Sequence, residues 1–257
     1  MPYIDLPHHK LFFAQVGQAK AGRPSLVLLH GAGGNHLVWP KELLRLPETA
    51  VYALDLPGHG RSTGPGSDTI AAYADVVAEF LVATQLDQVV LAGHSMGGAV
   101  AQLLAVRQRP EVSGLVLIST GSRLRVADAI LNQILPDFAA AVATINRFAW
   151  SASTPPAQVM QGRTAMAATE PPVLYGDFAA CNAFDLSAEL HAITCPTLVL
   201  AAEEDQLTPV KYGRFLADHI ANCRLVVIPQ AGHMVMIEQP TAVAAAIAEF
   251  LGELNSG

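Results

Sequence analysis

Residues 91–105 read LAGHSMGGAVAQLLA, an apolar run that stops at a glycine and gives way to a serine and then to helix-forming residues. The pattern predicts a strand, a tight turn and a helix. Gly93, Ser95 and Gly97 supply the spacing GxSxG. A serine at the tip of so sharp a turn is forced into an unfavourable backbone region, and small neighbours are needed for strand and helix to approach. Its hydroxyl then projects from the C-terminal edge of the strand, where the N–H groups and positive dipole end of the following helix stabilise an oxyanion. GxSxG by itself occurs by chance. What gives it weight is its setting, between an apolar run at 89–92 and a long alanine-rich helix.

Working outward, residues 69–86 place Ile70, Tyr73, Val77, Phe80, Leu81 and Thr84 at helical spacing, which predicts an amphipathic crossover helix ahead of the Ser95 strand. Upstream, SLVLL at 25–29 is a nearly continuous apolar run of the kind buried on both faces of a sheet, and it ends in His30-Gly31-Ala32-Gly33-Gly34. GxxxxGK is absent and His36 stands where GxGxxG needs its last glycine, so an oxyanion loop is expected there rather than a phosphate cradle. A short strand at 51–54 runs into Asp55-Leu56-Pro57-Gly58-His59-Gly60-Arg61-Ser62, whose proline and glycines forbid regular structure. Asp55 and His59 invite a catalytic reading, but a loop tied together by Asp55, Arg61 and Ser62 is preferred. Residues 3–16 read as an edge hairpin turning at His8 and His9. Strand, helix and strand in this order imply a parallel sheet with right-handed crossovers.

Downstream, GLVLI at 114–118 is the next strand, after which regular alternation breaks down over residues 122–193. Roughly seventy residues are too many for a loop in a compact domain, so this stretch is expected to carry helices of its own and form a lid over the active edge of the sheet. Helical fragments are predicted at 127–145, the stretch is broken later by Pro155-Pro156 and Pro171-Pro172, and most of Phe138, Phe148, Trp150, Met160, Met166, Tyr175, Phe178 and Phe184 are expected to pack the lid onto the core. The sheet resumes with TLVLAA at 197–202, followed by Glu203-Glu204-Asp205 and a helix to about residue 220. A last strand at 224–228 leads to Gln230-Ala231-Gly232-His233, and Pro240 opens a closing helix whose Val243, Ile247, Phe250 and Leu251 face inward. The predicted division is a core at 1–121 and 194–257 with a lid at 122–193.

The chain has 257 residues, 51% hydrophobic and 14% charged, which suits one α/β domain with an insertion. Its formal net charge is -7 and its 15 Lys and Arg form no run, which argues against nucleic acid or anionic membranes as partners. No apolar stretch has the length of a membrane span and the first residues lack a basic region followed by an apolar one, so a soluble cytoplasmic protein is expected. Cys181, Cys195 and Cys223 are odd in number and show no CxxC spacing. They suggest neither a disulfide framework nor a zinc site, and are expected to be buried small hydrophobes. The oligomeric state is not legible.

Active residues of an open parallel sheet lie beyond the C-terminal ends of its strands, where this reading puts Ala32, Ser95, Asp205 and His233. A serine hydroxyl is a weak nucleophile unless a base takes its proton, and the base needs a carboxylate to hold its tautomer. His233 alone among nine histidines follows a late strand on a small-residue loop. The strand ending at Ile118 is followed by Ser119-Thr120-Gly121-Ser122, with no acid to offer, so Asp205 is preferred, ahead of Glu203 and Glu204 in the same loop.

The sequence resembles the α/β-hydrolase family over essentially its whole length. The matching residues are HGAGG at 30–34, DLPGHGRS at 55–62, GHSMGG at 93–98, EEDQLTP at 203–209 and AGHMVMIEQP at 231–240, in the order Ser, Asp, His. The resemblance implies a mostly parallel eight-stranded sheet flanked by helices with an inserted helical lid. It also implies a nucleophile at Ser95, an acid at Asp205, a base at His233, and an oxyanion hole from the backbone N–H groups of Ala32 and Met96. Serine at 95 speaks against the haloalkane dehalogenase and epoxide hydrolase branches, which attack through a carboxylate.

The expected activity is hydrolysis of a small or medium carboxylic ester through an acyl-enzyme, with no cofactor and no metal. The first alternative is an enol-lactone or C–C bond hydrolase of aromatic degradation. A carboxylated substrate would call for an inward-facing base among Arg123, Arg125, Arg147 and Arg163. An alternative of another class is a ligand receptor that keeps the fold with little turnover; perhydrolysis is expected only as a side reaction.

Overall fold

Apolar runs flanked by turn residues become strands here because each is covered on both sides. Ser25–Leu29 (β3), Val89–His94 (β5) and Thr197–Ala202 (β7) are buried at every position. The computed structural model describes residues 3–254. The remaining strands are Tyr3–Asp5 (β1), Lys10–Val16 (β2), Val51–Leu54 (β4), Val112–Ile118 (β6) and Cys223–Ile228 (β8). They form one eight-stranded sheet in the order β1-β2-β4-β3-β5-β6-β7-β8. β1 and β2 make the expected antiparallel hairpin, β2 pairs antiparallel with β4, and every other pairing is parallel.

Alternate side chains of each strand feed two different cores, as the period of two requires. Val27 and Leu29 join Leu91, Leu117 and Val199 on one face, covered by the helices Ile70–Ala83 (here αA), Met96–Val106 (αB) and Val210–His219 (αC). Leu26 and Leu28 join Val90, Val116 and Leu198 on the other, under the closing helix Pro240–Glu253 (αD). Val243, Ile247, Phe250 and Leu251 of αD are buried there, and Pro240 sits in its first turn. Thr69 caps αA, its hydroxyl accepting the Ala72 N–H, and the predicted inward residues Ile70, Tyr73, Val77, Phe80 and Leu81 are all buried. Such caps contribute about 1 kcal/mol.

Between β6 and β7 lie four helices, Asp128–Ile134 (αE), Phe138–Phe148 (αF), Pro156–Ala167 (αG) and Pro171–Ala183 (αH). They enclose a small cluster of their own, Ile134, Ala141, Val142, Ile145 and Leu174. The proline pairs break the stretch where the sequence suggested, each standing at the start of a helix. Pro156 and Pro171 begin αG and αH, where the missing N–H has no partner to lose and the fixed φ suits the first turn. Cys181 is buried, whereas Cys195 and Cys223 are only half-buried against the core, and all three are free. None of the described helices is long and apolar enough to cross a membrane.

Candidate active site

Ser95 stands between β5 and αB with φ 51° and ψ -114°, a backbone combination in which a non-glycine residue is strained. Its surroundings hold it there. The Ser95 N–H donates to the Ile118 carbonyl at 2.9 Å, and its carbonyl accepts from Gly98 N at 2.9 Å and from the Thr120 hydroxyl at 2.8 Å. The two flanking glycines are obligatory for a steric reason. A Cβ on Gly93 would run into the Gly97 carbonyl, and one on Gly97 would run into the Leu29 carbonyl of β3.

Asp205 and His233 come together from the loops after β7 and β8. His233 Nδ1 lies 2.9 Å from Asp205 Oδ2, and both residues are buried. A carboxylate only accepts, so Nδ1 carries a hydrogen, and it is Nε2 that keeps a lone pair in the neutral ring. The second carboxylate oxygen accepts the Leu207 and Thr208 N–H groups, each at 2.8 Å, and the Thr208 hydroxyl donates to Oδ2 at 2.7 Å. Burial alone would raise the Asp205 pKa, but the His233 ring and these donors hold it well below the usual carboxylate range. Glu203 is exposed, and Glu204 accepts the Ala152 N–H instead.

Ser95 and His233 line one cavity of about 730 Å³. Among the described residues no hydrogen bond closes from Ser95 Oγ to the His233 ring; such bonds are often long in unliganded sites and tighten with substrate. His94 helps fix the His233 loop, its Nε2–H donating to the His233 carbonyl at 2.9 Å. Burial, with the neighbouring His233, lowers the His94 pKa to about 3, so it acts as a neutral donor.

The loop 30–34 packs against Ser95, with no room for a side chain at Gly31 between His94 and the Ser95 Cβ. His30 is fully buried, donates through Nδ1 to the Gly31 carbonyl at 2.8 Å and accepts the Leu56 N–H through Nε2 at 3.1 Å. Burial, then the nearby His59, lowers its pKa to about 4, which keeps it neutral for both bonds. Ala32 lines the cavity and Met96 is the first residue of αB. Among the described residues, neither backbone N–H has a hydrogen-bond partner.

The family model of the alpha/beta hydrolase family matches residues 26–246. The chain belongs to the α/β-hydrolase family. It is similar to the pimeloyl-[acyl-carrier protein] methyl ester esterase of Neisseria meningitidis, 32% identical over 240 residues that cover 87% of this chain and 92% of the relative. It is 29% identical to the 2-hydroxymuconate semialdehyde hydrolase of a Pseudomonas species over 92% of this chain and 89% of that one. Among solved structures, a thermophilic esterase matches with a TM-score of 0.86 at 32% identity, covering 98% of this chain and 97% of its own.

In this α/β-hydrolase the loop after β4 is tied together by Asp55, Arg61 and Ser62 as the sequence suggested, with His36 as a further partner. Asp55 accepts from the backbone N–H groups of His36 and Arg61 and from the His36 ring, while Ser62 donates to its carbonyl. The Arg61 contribution is its N–H, and its guanidinium stacks over Phe12 at 5.0 Å. Of the four candidate arginines only Arg125 lines the cavity. Arg123 faces Asp185 at 3.4 Å, and Arg147 lies over Phe148. Sequence reasoning missed His36, His94, Thr208 and Glu238. Glu238 ties the His233 loop to the insertion, accepting from Gly232 N at 2.8 Å and from Ser151 N at 2.8 Å. Their only local signal was a position inside or beside a motif; the partner lies far along the chain.

Proposed function

We propose that this protein is a serine hydrolase that cleaves small to medium carboxylic esters, with Ser95 as nucleophile, His233 as base and Asp205 as the acid that orients it. The observation that carries the reading is the hydrogen bond between His233 Nδ1 and Asp205. Nδ1 is committed to Asp205, so the free Nε2 lone pair belongs to a ring that shares a cavity wall with a strained, half-buried serine. Ser95 Oγ attacks the ester carbonyl carbon while its proton passes to His233 Nε2. The oxyanion that forms is held by the N–H groups of Ala32 and Met96, both without a partner among the described residues. Collapse of the tetrahedral intermediate expels the alcohol, which leaves with the proton from His233. Water then attacks the acyl-enzyme, gives its proton to the same nitrogen, and Ser95 is released with the acid.

The insertion at 122–193 acts as a lid in this reading, since Leu124, Val126, Ile130, Ile145, Trp150 and Phe178 complete the cavity above Ser95. The test is turnover of p-nitrophenyl acetate and butyrate by wild type and Ser95→Ala, for which a loss on the order of a million-fold is expected. A purified mutant that kept a tenth of wild-type activity would remove Ser95 from the mechanism. A second reading, cleavage of a C–C bond or an enol lactone in a carboxylated substrate, is favoured by the 2-hydroxymuconate semialdehyde hydrolase relative and by Arg125 on the cavity wall. Comparing kcat/KM for esters with and without a terminal carboxylate separates the two.

A further inference from the structure

Asp177 is a fully buried carboxylate in αH that has no part in the Asp205–His233 hydrogen bond, and it accepts three hydrogen bonds from three separate parts of the core. Gly33 N and His59 Nε2 each donate to Oδ2 at 2.8 Å, and the Tyr73 hydroxyl of αA donates to Oδ1 at 2.6 Å. Both His59 nitrogens face acceptors, Nδ1 meeting the Pro57 carbonyl at 3.0 Å. Both therefore carry hydrogens, and the ring is an imidazolium paired with the carboxylate in a site from which water is excluded. Breaking such a pair leaves an uncompensated buried charge, so αH does not lift from the loop without a large cost.

Where this grip falls matters more than its strength. Peptide units are planar, so the direction of each N–H is set by whatever holds the carbonyl of the residue before it. The Gly31 carbonyl, which shares its plane with the Ala32 N–H, accepts from His30 Nδ1 at 2.8 Å and Gly34 N at 3.0 Å. The next plane is fixed by Gly33 N on Asp177, and the one after it by the Thr169 hydroxyl donating to the Gly33 carbonyl at 3.0 Å. Gly33 itself has φ +64°, and a Cβ there would press into Leu174 of αH. His30 thus holds the plane of the Ala32 N–H from the core side, while the insertion holds the next two planes, the second of which carries the Gly34 N–H that donates back to the Gly31 carbonyl and so ties the first plane to the insertion as well.

We infer that Asp177, with Thr169, is a positioning residue of the inserted helices that aims the Ala32 N–H at the oxyanion formed on Ser95. The inference rests on the ester-hydrolase reading and on Ala32 as an oxyanion donor. It gives the insertion a part in the chemical step besides closing the cavity.

The test is Asp177→Asn, in which the NH2 group turns to the Tyr73 hydroxyl and Gly33 N and His59 Nε2 are left to share a neutral amide oxygen in place of the charged one. Three quantities are read below the melting temperature: kcat and KM for p-nitrophenyl butyrate, and the Ki of butyl trifluoromethyl ketone, which adds to Ser95 as a tetrahedral oxyanion. Expected are a kcat lower by about ten- to a hundred-fold, a KM within about threefold of wild type, and a Ki weakened by the same factor as kcat/KM. Val142→Ala, which loosens the insertion's own cluster without touching Gly33, is the control for simple destabilisation; it should lower the melting temperature and leave kcat and Ki in place. Should Asp177→Asn fail to fold, Thr169→Val decides, with a loss of about three- to tenfold expected in both kcat and ketone affinity. Wild-type kcat and Ki in the folded variant, or an equal loss in Val142→Ala, would overturn the assignment. Turnover that persists in Ser95→Ala would overturn the hydrolase reading and this one with it, whereas Ser95-dependent turnover undiminished by Asp177→Asn would overturn this one alone.

Discussion

Asp205 uses its two oxygens for different purposes, and that asymmetry predicts what an amide would do in its place. Oδ1 accepts two backbone N–H groups and Oδ2 accepts the Thr208 hydroxyl and His233 Nδ1. In Asp205→Asn the amide oxygen keeps the two backbone donors, so the NH2 group turns toward His233. Nδ1 must then accept, Nε2 takes the hydrogen, and the ring no longer has a lone pair for the serine proton. We expect kcat to fall roughly a thousand-fold or more with the fold retained. Glu203→Gln, on an exposed side chain, should leave kcat unchanged, and Glu204→Gln, which touches only the Ala152 N–H, should change it little. Steady-state kinetics on the three purified variants decide this, and a larger loss at either glutamate would move the acid away from Asp205.

The turn joining β5 to αB is the element on which the rest depends, and its tolerance is set by backbone rather than side-chain contacts. A methyl group on Gly97 meets the Leu29 and His30 carbonyls, which belong to β3 and the loop beside Ser95 and have nowhere to retreat. Gly97→Ala should therefore cost about 2–3 kcal/mol, or roughly 5–10 °C in melting temperature, and lower kcat as αB is pushed off the sheet. Calorimetry and ester turnover on that variant check both halves. These close approaches were legible because GxSxG is a local pattern, and the strands were legible because fully buried ones need unbroken apolar runs such as SLVLL. The insertion was legible as a length, as helical fragments near 127–145 that αE and αF fill, and as breaks at its proline pairs, which stand at helix starts. The contacts that seat it were not legible, because the partners of Asp177 lie 104, 118 and 144 residues away. No periodicity carries information over such separations.

For the molecule as a whole, the His59–Asp177 pair joins inserted helices to core, and its charge makes stability depend on pH. Burial would lower the His59 pKa, but the Asp177 charge and hydrogen bond, with the Pro57 carbonyl, outweigh it and hold the pKa above its ordinary value. A raised histidine pKa means the folded state binds the proton more tightly than the unfolded chain. The stabilisation is complete below the unfolded value of about 6.5 and is lost as pH rises through the folded one. Melting temperature should decline from roughly pH 6.5 upward, and His59→Gln should start lower and lose that slope; a slope unchanged in the variant would place the titrating group elsewhere. The same inserted helices bound what fits in the site. The cavity of about 730 Å³ is walled by Leu124, Val126, Ile130, Ile145 and Trp150 on the insertion side, and the core closes it below. Each acyl methylene that finds these walls should add under about 1 kcal/mol to transition-state binding, so kcat/KM should climb over the first few carbons. Beyond the wall an added methylene has no apolar surface to meet and must displace packed side chains, so the series should turn down instead of levelling. If the inserted helices cover the bound acyl chain, the site also gains nothing from an oil surface. Measured from p-nitrophenyl acetate to palmitate, and with emulsified triglyceride, kcat/KM should peak at short to medium chains with no activation at the interface. A maximum at palmitate together with interfacial activation would mean that the inserted helices open onto a surface groove and do not enclose the acyl chain.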